Sequence, residues 1–414
     1  MSEWKKVKLG DYIDVLSGFA FKSKDFSDSG IPVIKIKNVS PPCISLEDLS
    51  FVPEPIAFQN SRYILKKGDI LIAMTGSHIN QIASVVGRVG RVRYDDITVL
   101  NQRVGKIINK NDDLSDIDFI YYYLSQYEVK VELAQKAGGA ANQANISPSD
   151  IKNLLFPCPP IEVQHRIATI LSRYDSLIEN YQKQIKLLEE AAQRLYKEWF
   201  VDLRFPGYEN VKMVDGLPER WEYSSITDNR FFSFAKCRIL PFEGEKTYYA
   251  TADVEGTYFC NNGIAVDYEN KPSRAQIQPS RFSVWFARMS NSYKIIGFTD
   301  QNNGRREESL LSSGFAGFEC DYERFGFLYT LISSQWFNDQ KDRFATGATQ
   351  VSITNEGLSR IKILVPTTKI VEEFSRITNK MIEESILYRE KCAKLSEARD
   401  RLLPRLMGGE MEAK

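Results

Sequence analysis

The sequence predicts an α+β protein: two β-rich α/β domains in a tandem pseudo-two-fold repeat, separated by two long helices that pair as an antiparallel coiled coil. Three observations lead to this prediction. One stretch of sequence recurs half a chain later, and each copy is followed by a long segment of helical periodicity. Each copy is also preceded by roughly 150 residues containing short Val- and Ile-rich runs, which are typical of strands.

The recurring stretch reads GAANQANISPSDIKNLLFPCPP from Gly139 and TGATQVSITNEGLSRIKILVPT from Thr346. An offset of 207 residues, half of the 414-residue chain, aligns the two copies. It places Gln143 on Gln350, Ile146 on Ile353, Ser147 on Thr354, Ile151 on Leu358 and Pro159 on Pro366. This duplication predicts two equivalent halves, with boundaries at 1–155 (first domain), 156–210 (first long helix), 211–366 (second domain) and 367–414 (second long helix).

The segment after the first copy, residues 161–200, contains neither Gly nor Pro, and its apolar residues recur every three or four positions. A heptad pattern of this kind predicts a long helix with one apolar face, interrupted by a stutter at Tyr181. The second copy repeats the pattern and is expected to end at 403–406, before Gly408-Gly409. The predicted seam consists of Ile167, Ile170, Tyr174, Tyr181, Leu188, Leu195, Phe374, Ile377, Met381, Tyr388, Leu395 and Leu402.

A long helix cannot bury such a face alone, so each needs a partner. The other copy is the simplest partner, and packing of each helix on its own domain is the alternative. Strands are predicted at 31–39, 68–76, 83–94, 102–109, 247–254, 282–289 and 293–299, and helices at 118–135 and 324–339. The two domains share almost no other letters, so we expect a common frame that carries two different binding surfaces.

Composition limits the possible functions. The chain has 54 basic and 54 acidic residues, and each of the four predicted segments lies within one charge of neutrality, which argues against a nucleic-acid binder. Six scattered cysteines and two histidines argue against a zinc site and a disulfide framework, and predict buried free thiols. No apolar run reaches the roughly 18–20 residues that span a bilayer, and no signal-peptide core is present, so we expect a cytoplasmic protein without membrane contact.

Catalytic motifs are missing from the sequence. There is no Asn/Asp-Pro-Pro-aromatic loop for adenine methylation, and no glycine-rich phosphate loop. The triplets at 128–130 and 150–152 resemble part of a nuclease signature, but such triplets arise by chance in a chain this rich in charge. His165 is expected to be a solvated first-turn residue. No catalytic residue, metal or cofactor is therefore predicted.

The order and duplication of several segments resemble the specificity subunit of type I restriction–modification enzymes. The resemblance rests on residues 6–18, 30–39, 66–77, 145–171, 194–207, 217–223 and 399–410. It implies that each β-rich domain is a target recognition domain that reads one half of a split site in double-stranded DNA. It also implies that the helices set the spacing and dock two adenine methyltransferase subunits, which motor-nuclease subunits join. The chain itself would be non-catalytic, within a restriction endonuclease and adenine-specific methyltransferase complex.

Base edges are read by Arg, Lys, Asn and Gln, and phosphates by Lys, Arg and hydroxyl groups. In the first domain the candidates are Lys22, Lys24, Lys35, Lys37, Asn38, Thr75, Ser77, His78, Asn80, Gln81, Arg91 and Arg93. In the second they are Lys236, Arg238, Arg274, Arg281, Arg288, Asn291, Tyr293, Lys294, Asn302, Arg305 and Arg306. For each residue a solvated surface position is the alternative, and for His78 a plain polar turn. For the whole chain the alternative is a coiled-coil adaptor between proteins that binds no DNA, which the neutral charge favours.

Overall fold

The computed structural model describes residues 4–77, 85–137, 144–235, 239–348 and 350–412. The chain divides into two compact units: unit 1 is Met1–Ser176 with Leu395–Lys414, and unit 2 is Leu177–Lys394. Each unit holds one β-rich domain and a segment of each long helix, which is the predicted α+β architecture. In the described part of the chain, no helix has the length and apolarity that crossing a membrane requires.

Two sheets form the domain of unit 1 among its described residues. The first contains, in spatial order, Ile13–Ser17, Val104–Asn109, Ile70–Ala73, Val89–Arg91, Cys43–Ile44 and Val39–Ser40. The second contains Ser50–Val52, Ile31–Ile34, Thr98–Leu100 and Ile64–Leu65, with its two central strands parallel. Two further ladders pair Lys6–Lys8 with Leu155–Pro157 and Thr75–Gly76 with Ala144–Asn145. Buried Val and Ile side chains on these short strands form the core.

The domain of unit 2 repeats this topology, as far as it is described. One sheet contains Ser233–Phe234, Phe315–Glu319, Ser283–Ala287 and Ile295–Phe298, in the order of the first four strands of the larger sheet of unit 1. The other contains Ile264–Val266, Lys246–Tyr249, Ser309–Ser312 and Ala275–Ile277, again with a parallel central pair. Smaller ladders pair Glu222–Ser225 with Lys362–Val365, Met213–Val214 with Leu217–Pro218 and Val254–Glu255 with Tyr258–Phe259. The two domains therefore share a fold that their dissimilar amino-acid sequences do not reveal.

The shorter α-helices flank these sheets. In unit 1 they are Glu54–Gln59, Ile117–Leu124, Tyr127–Lys136 and Pro148–Lys152, and in unit 2 Asn303–Glu308, Tyr322–Ile332, Gln335–Arg343 and Asn355–Ser359. The helices predicted at 118–135 and 324–339 are thus both broken in two. The breaks are equivalent, because Ser125 Oγ donates to Tyr121 O at 2.7 Å and Ser333 Oγ donates to Tyr329 O at 2.8 Å. Hydroxyl bonding of this kind competes with helix continuation.

The recurring stretch closes each domain. Ser147 and Thr354 are the N-caps of short helices, accepting hydrogen bonds from Asp150 N at 3.2 Å and Gly357 N at 3.0 Å. Four residues after each cap, Ile151 and Leu358 are fully buried. The following strand pairs with a strand near the start of its own domain, and a long helix begins a few residues later. The repetition therefore encodes the junction between domain and helix.

The first long helix (Ile161–Tyr196, continued by a π-turn at Lys197–Val201) and the second long helix (Thr368–Met407) run antiparallel within each unit. In unit 1, Ile167 shares a core with Leu406, and further along Asp175 pairs with Arg399. In unit 2, the rings of Tyr181 and Tyr388 stack at 4.9 Å, and those of Trp199 and Phe374 meet edge-on at 5.6 Å. Pairing between the two copies is therefore observed, rather than packing of each helix on its domain alone.

The seam of the first long helix departs from the predicted one near Ile170 and Ile178. Every predicted seam residue is buried or half-buried, but Leu171 is fully buried beside the predicted Ile170, and the buried Ile178 continues the seam beside Leu177, which is 46% exposed. Because buried residues then recur every seven positions, from Leu171 through Ile178, Ile185, Ala192 and Trp199, the heptad pattern is continuous. The predicted stutter at Tyr181 is wrong. The second long helix also continues through Pro404 to Met407.

Candidate nucleic-acid interface

Several loops of unit 1 meet at one end of its strands, which we call the loop edge of unit 1 (residues 18–25, 35–37, 61–63, 74–77 and 101–103). The turn at 101–103 lies in the middle, because Gln102 N donates to Phe19 O at 2.9 Å and Met74 N donates to Arg103 O at 2.9 Å. Asn101 N also donates to Ile34 O at 3.1 Å, which brings the end of strand Ile31–Ile34 to the same place. The rings of Phe19 and Tyr63 meet at 5.6 Å.

Six of the predicted contact residues lie at this loop edge. The side chains of Lys22, Lys24 and Lys37 are exposed, and Lys37 forms a loose ion pair with Asp48 at 3.8 Å. Lys35 is half-buried: its Nζ donates to Ser50 Oγ at 2.8 Å, and burial together with neighbouring Lys37 lowers its pKa. Ser77 is half-buried and Thr75 is buried. The exposed lysines are therefore the available cations in this set.

The equivalent end of the strands in unit 2 is the loop edge of unit 2 (residues 250–253, 273–274, 288–294 and 313–314). Its geometry repeats that of unit 1, since Arg288 N donates to Gly314 O at 2.9 Å as Met74 N donates to Arg103 O. Arg274 and Asn291 are exposed here, and no hydrogen bond or ion pair of the Arg274 guanidinium is found within the described residues. Tyr293 and Lys294 also lie here, but Tyr293 OH donates to Ser333 O and Lys294 Nζ donates to Thr251 O.

Three predicted contact residues serve the fold instead. Asn38 is 1% exposed, and its amide donates to Glu47 O and accepts from Lys35 N. Asn302 is 7% exposed and makes the corresponding bonds within the turn that follows Phe298. The guanidinium of Arg288 donates to Phe315 O, Ile353 O and Asn355 Oδ1, and burial lowers its pKa. The two asparagines are buried and Arg288 is held by three oxygens of the protein, so these side chains stabilise the fold, which corrects the sequence prediction.

Arg91 and Arg93 lie at the opposite end of the strands from the loop edge, since Arg91 pairs with Ile70 at the start of its strand. As predicted from strand periodicity, both point the same way, but towards the helices. Arg91 Nη2 lies 2.6 Å from Asp118 Oδ1, and its guanidinium stacks over the Tyr121 ring at 4.5 Å. Arg93 Nη2 lies 3.6 Å from Asp175 on the first long helix. Both cations are neutralised inside the protein.

Unit 2 shows the same arrangement at its opposite end. Arg281 forms a bidentate ion pair with Asp300, and Arg306 bonds to Asn303 and Glu307. Arg305 pairs with Glu390 on the second long helix, with Nε at 2.6 Å and Nη2 at 3.1 Å from the two carboxylate oxygens. Arg93 and Arg305 therefore attach the domains to the helices, rather than being open to DNA as predicted.

A buried and a half-buried carboxylate on the first long helix complete these attachments. Asp175 is 5% exposed; its Oδ2 accepts from Tyr122 OH at 2.7 Å, and its Oδ1 accepts from Arg399 Nη1 at 2.7 Å. Burial, together with the adjacent charge of Asp175, raises the pKa of Tyr122 far above its usual range, so the phenol stays a donor. In unit 2, Glu189 Oε1 lies 2.6 Å from Arg389 Nη2. Each unit thus has a charged link across its pair of long helices.

The remaining predicted residues fall outside the described residues; they are His78, Asn80, Gln81, Lys236 and Arg238. Sequence reasoning missed three exposed side chains at the loop edge of unit 1, namely Arg62, Gln102 and Arg103. The run Asn101-Gln102-Arg103 between two apolar strands was the available signal. His165 is exposed as expected, and its Nδ1 lies 2.5 Å from Asp116 Oδ2. Of the five cysteines described, Cys260 is exposed, which corrects the expectation of uniformly buried thiols.

Residues 1–190 match the family model of the type I restriction modification DNA specificity domain. The putative type I restriction enzyme MjaX specificity subunit of Methanocaldococcus jannaschii is 24% identical, covering 100% of this chain and 94% of that protein. The MjaIX specificity subunit of the same organism is 25% identical, covering 99% and 94%. The solved S subunit of a type I restriction–modification system from M. genitalium, 16% identical, shares the fold over 97% of this chain and 96% of its own, with a TM-score of 0.58.

The match over residues 1–190 defines the class of the first half, a DNA specificity domain of type I restriction–modification systems. The sequence similarity to the two specificity subunits extends along the rest of the chain, and the solved S subunit shares its fold. The chain as a whole is similar to type I restriction–modification specificity subunits.

Proposed function

We propose that the chain directs a type I restriction–modification complex to a bipartite site in double-stranded DNA. Each β-rich domain reads one half of the site through its loop edge. The paired long helices set the distance between the halves and dock two adenine methyltransferase subunits, which motor-nuclease subunits join. The chain contributes recognition and leaves methylation and cleavage to its partners. The corresponding segments are 1–155, 156–210, 211–366 and 367–414.

One observation carries this proposal: the two domains share a strand order, and the two ends of their strands differ from each other in the same way. The loop edge of unit 1 carries several exposed cations and that of unit 2 carries the exposed Arg274, whereas arginines at the opposite end of each domain pair with acidic side chains, some of them on the long helices. One fold that occurs twice with different loop side chains is suited to a DNA site whose two halves differ in sequence. A protein adaptor needs no such pairing of equal folds with unequal loops.

The neutral charge of the chain does not oppose this function. The net charge of the chain does not fix the charge of one surface, and the loop edge of unit 1 exposes Lys22, Lys24 and Arg103. The loop edges expose only a few cations, whereas a DNA-binding protein can contact about 6–10 phosphates. The chain alone therefore offers a small phosphate-binding surface. We therefore expect the isolated chain to bind DNA weakly and to show sequence preference only with methyltransferase subunits present. Tight, sequence-specific binding by the isolated chain at moderate salt would contradict this.

The test of the proposal is a domain exchange. Residues 211–366 are replaced with the corresponding segment of a relative, and adenine methylation is mapped across the DNA of cells that express the complex. The recognised sequence should change in one half and stay the same in the other, and the reciprocal exchange of residues 1–155 should change the other half. Changes in both halves from one exchange would refute independent reading. A complete complex without DNA binding would favour the adaptor.

A further inference from the structure

The turn at the centre of each loop edge differs between the two units. In unit 1, the three residues 101–103 join strands Thr98–Leu100 and Val104–Asn109. In unit 2, the two residues 313–314 join strands Ser309–Ser312 and Phe315–Glu319. The hydrogen bonds from Met74 N to Arg103 O and from Arg288 N to Gly314 O make Arg103 and Gly314 equivalent positions. The first domain therefore has an arginine where the second has no side chain.

A different arginine fills this place in unit 2. A Cβ atom at Gly314 would lie 3.6 Å from Nη2 of Arg274, and Arg274 O accepts the backbone hydrogen bond of Ser313 at 2.8 Å. Arg274 belongs to the segment entering strand Ala275–Ile277, not to the turn. Within the described residues, no hydrogen bond or ion pair occupies the exposed guanidinium of Arg103 or of Arg274. Both units thus place a free guanidinium at the centre of the loop edge.

We infer that Arg103 and Arg274 are the base-reading residues of the two half-sites, each contacting a guanine in the major groove. Guanidinium groups bind the O6 and N7 atoms of guanine in bidentate fashion, whereas lysine acts as a point charge suited to phosphate. The central position of the turn favours entry into the groove. The lysines on flanking segments, Lys22, Lys24 and Lys37, are placed to contact phosphates on either side. This inference rests on the proposed reading of DNA through the loop edges.

The arrangement also explains how the two halves diverge. Because the guanidinium comes from the turn in one domain and from a neighbouring strand in the other, it approaches the groove from a different direction in each. Gln102, exposed beside Arg103, adds an amide that can pair with adenine, and the two-residue turn of unit 2 has no counterpart. The half-site of the first domain should therefore include an additional position with a base preference set by this turn.

The experiment uses the full chain in complex with its methyltransferase subunits and selects binding sites from a random duplex pool. Arg103→Ala and Arg274→Ala are compared with Lys66→Ala, which removes an exposed cation at the opposite end of the strands in unit 1. Each arginine variant should lower discrimination at one guanine position of its own half-site by roughly 5- to 150-fold and leave the other half unchanged. Lys66→Ala should preserve both halves. The domain exchange assigns each half to its domain.

A phosphate contact would look different. It would weaken all sequences about equally and reduce the salt dependence of binding, with base preferences intact, and this result for both arginines would overturn the inference. Unchanged selection with Arg103→Ala and Arg274→Ala would overturn it as well, while leaving the proposed function in place. If the unmodified complex selected no bipartite sequence, the proposed function itself would fail, and this inference with it. Matching circular dichroism spectra and complex sizes establish that the variants are folded.

Discussion

Replacement of Asp175 with asparagine should destabilise unit 1 by about 2–4 kcal/mol. Asp175 is 5% exposed and joins three elements, accepting from Tyr122 OH and Arg399 Nη1 at 2.7 Å each and attracting Arg93 at 3.6 Å. Breaking a buried pair by removing one charge costs about 3–5 kcal/mol, and hydrogen bonds to charged groups contribute about 1.5–3 kcal/mol each. Asparagine keeps the volume and one acceptor, so part of this energy is retained.

The assay is thermal unfolding of the full chain. Unit 1 holds about 200 residues, and in a domain of that size 1 kcal/mol corresponds to roughly 2–4 °C, so its transition should fall by about 5–15 °C. Hydrogen exchange identifies that transition through peptides covering residues 161–176. The control is Glu132→Gln, which breaks an exposed pair with Lys136 at 2.6 Å in the same unit and should cost about 0.5 kcal/mol or less.

Coupling supplies a stricter criterion. Because Asp175 and Arg399 share one contact, the cost of Asp175→Asn together with Arg399→Gln should be smaller than the sum of the single costs, by about 1 kcal/mol or more. An Asp175→Asn shift no larger than that of Glu132→Gln would refute the reasoning. Strict additivity with Arg399→Gln would refute the direct link across the helices.

Two further predictions concern packing in unit 2. Gly326→Ala should destabilise by about 1–3 kcal/mol although alanine favours helix, because a Cβ there would overlap Thr378 Oγ1, whereas Gly304→Ala, with open space around it, should stabilise by about 0.5–1 kcal/mol. Calorimetry of the two variants checks the signs, and equal signs would contradict the packing described. Ile185→Asp, at a 9% exposed seam position, should cost several kcal/mol and disturb assembly with methyltransferase subunits on gel filtration. Leu187→Asp, 64% exposed, is the matched change and should leave stability within about 0.5 kcal/mol; an equal loss from both would place the seam elsewhere.

The architecture could be predicted because local sequence patterns determine its main elements. The aligned residues Ser147 and Thr354 mark the same helix cap, and the unbroken apolar periodicity marks both long helices. The residues that face the partner helix could not all be predicted from this periodicity. Ile170-Leu171 and Leu177-Ile178 are apolar doublets, so either member of each could face the partner. The pairing of the two helices, which lie about 200 residues apart in sequence, selects the second member.

The candidate site was less predictable for a related reason. Alternation along the strand placed Arg91 and Arg93 on one face, but their partners Asp118 and Asp175 come from distant segments, so the sequence alone did not show that this face is covered. Asn38 and Asn302 have the chemistry of base-reading residues and use it to close turns. The loop edge itself arises from strand pairing, which brings the turn at 101–103 to residues 18–25.

The central claim is that the paired helices set the distance between two domains that recognise their half-sites independently. One heptad inserted after Ser176 and one after Lys394 fall at the boundaries of the two compact units and at facing levels of the antiparallel pair. Seven residues preserve the heptad phase and lengthen each helix by about 10 Å, close to three base pairs of B-DNA. The control is a seven-residue insertion at Gly244, in an exposed turn.

Methylome sequencing of cells that express the double-insertion variant, with its methyltransferase subunits, measures the outcome directly. We expect both half-sites to keep their bases while the gap between them grows by about three base pairs, and the control insertion to leave the gap unchanged. An active double-insertion variant whose half-sites keep their original spacing would contradict the account, because the helices would then not set the distance between the readers.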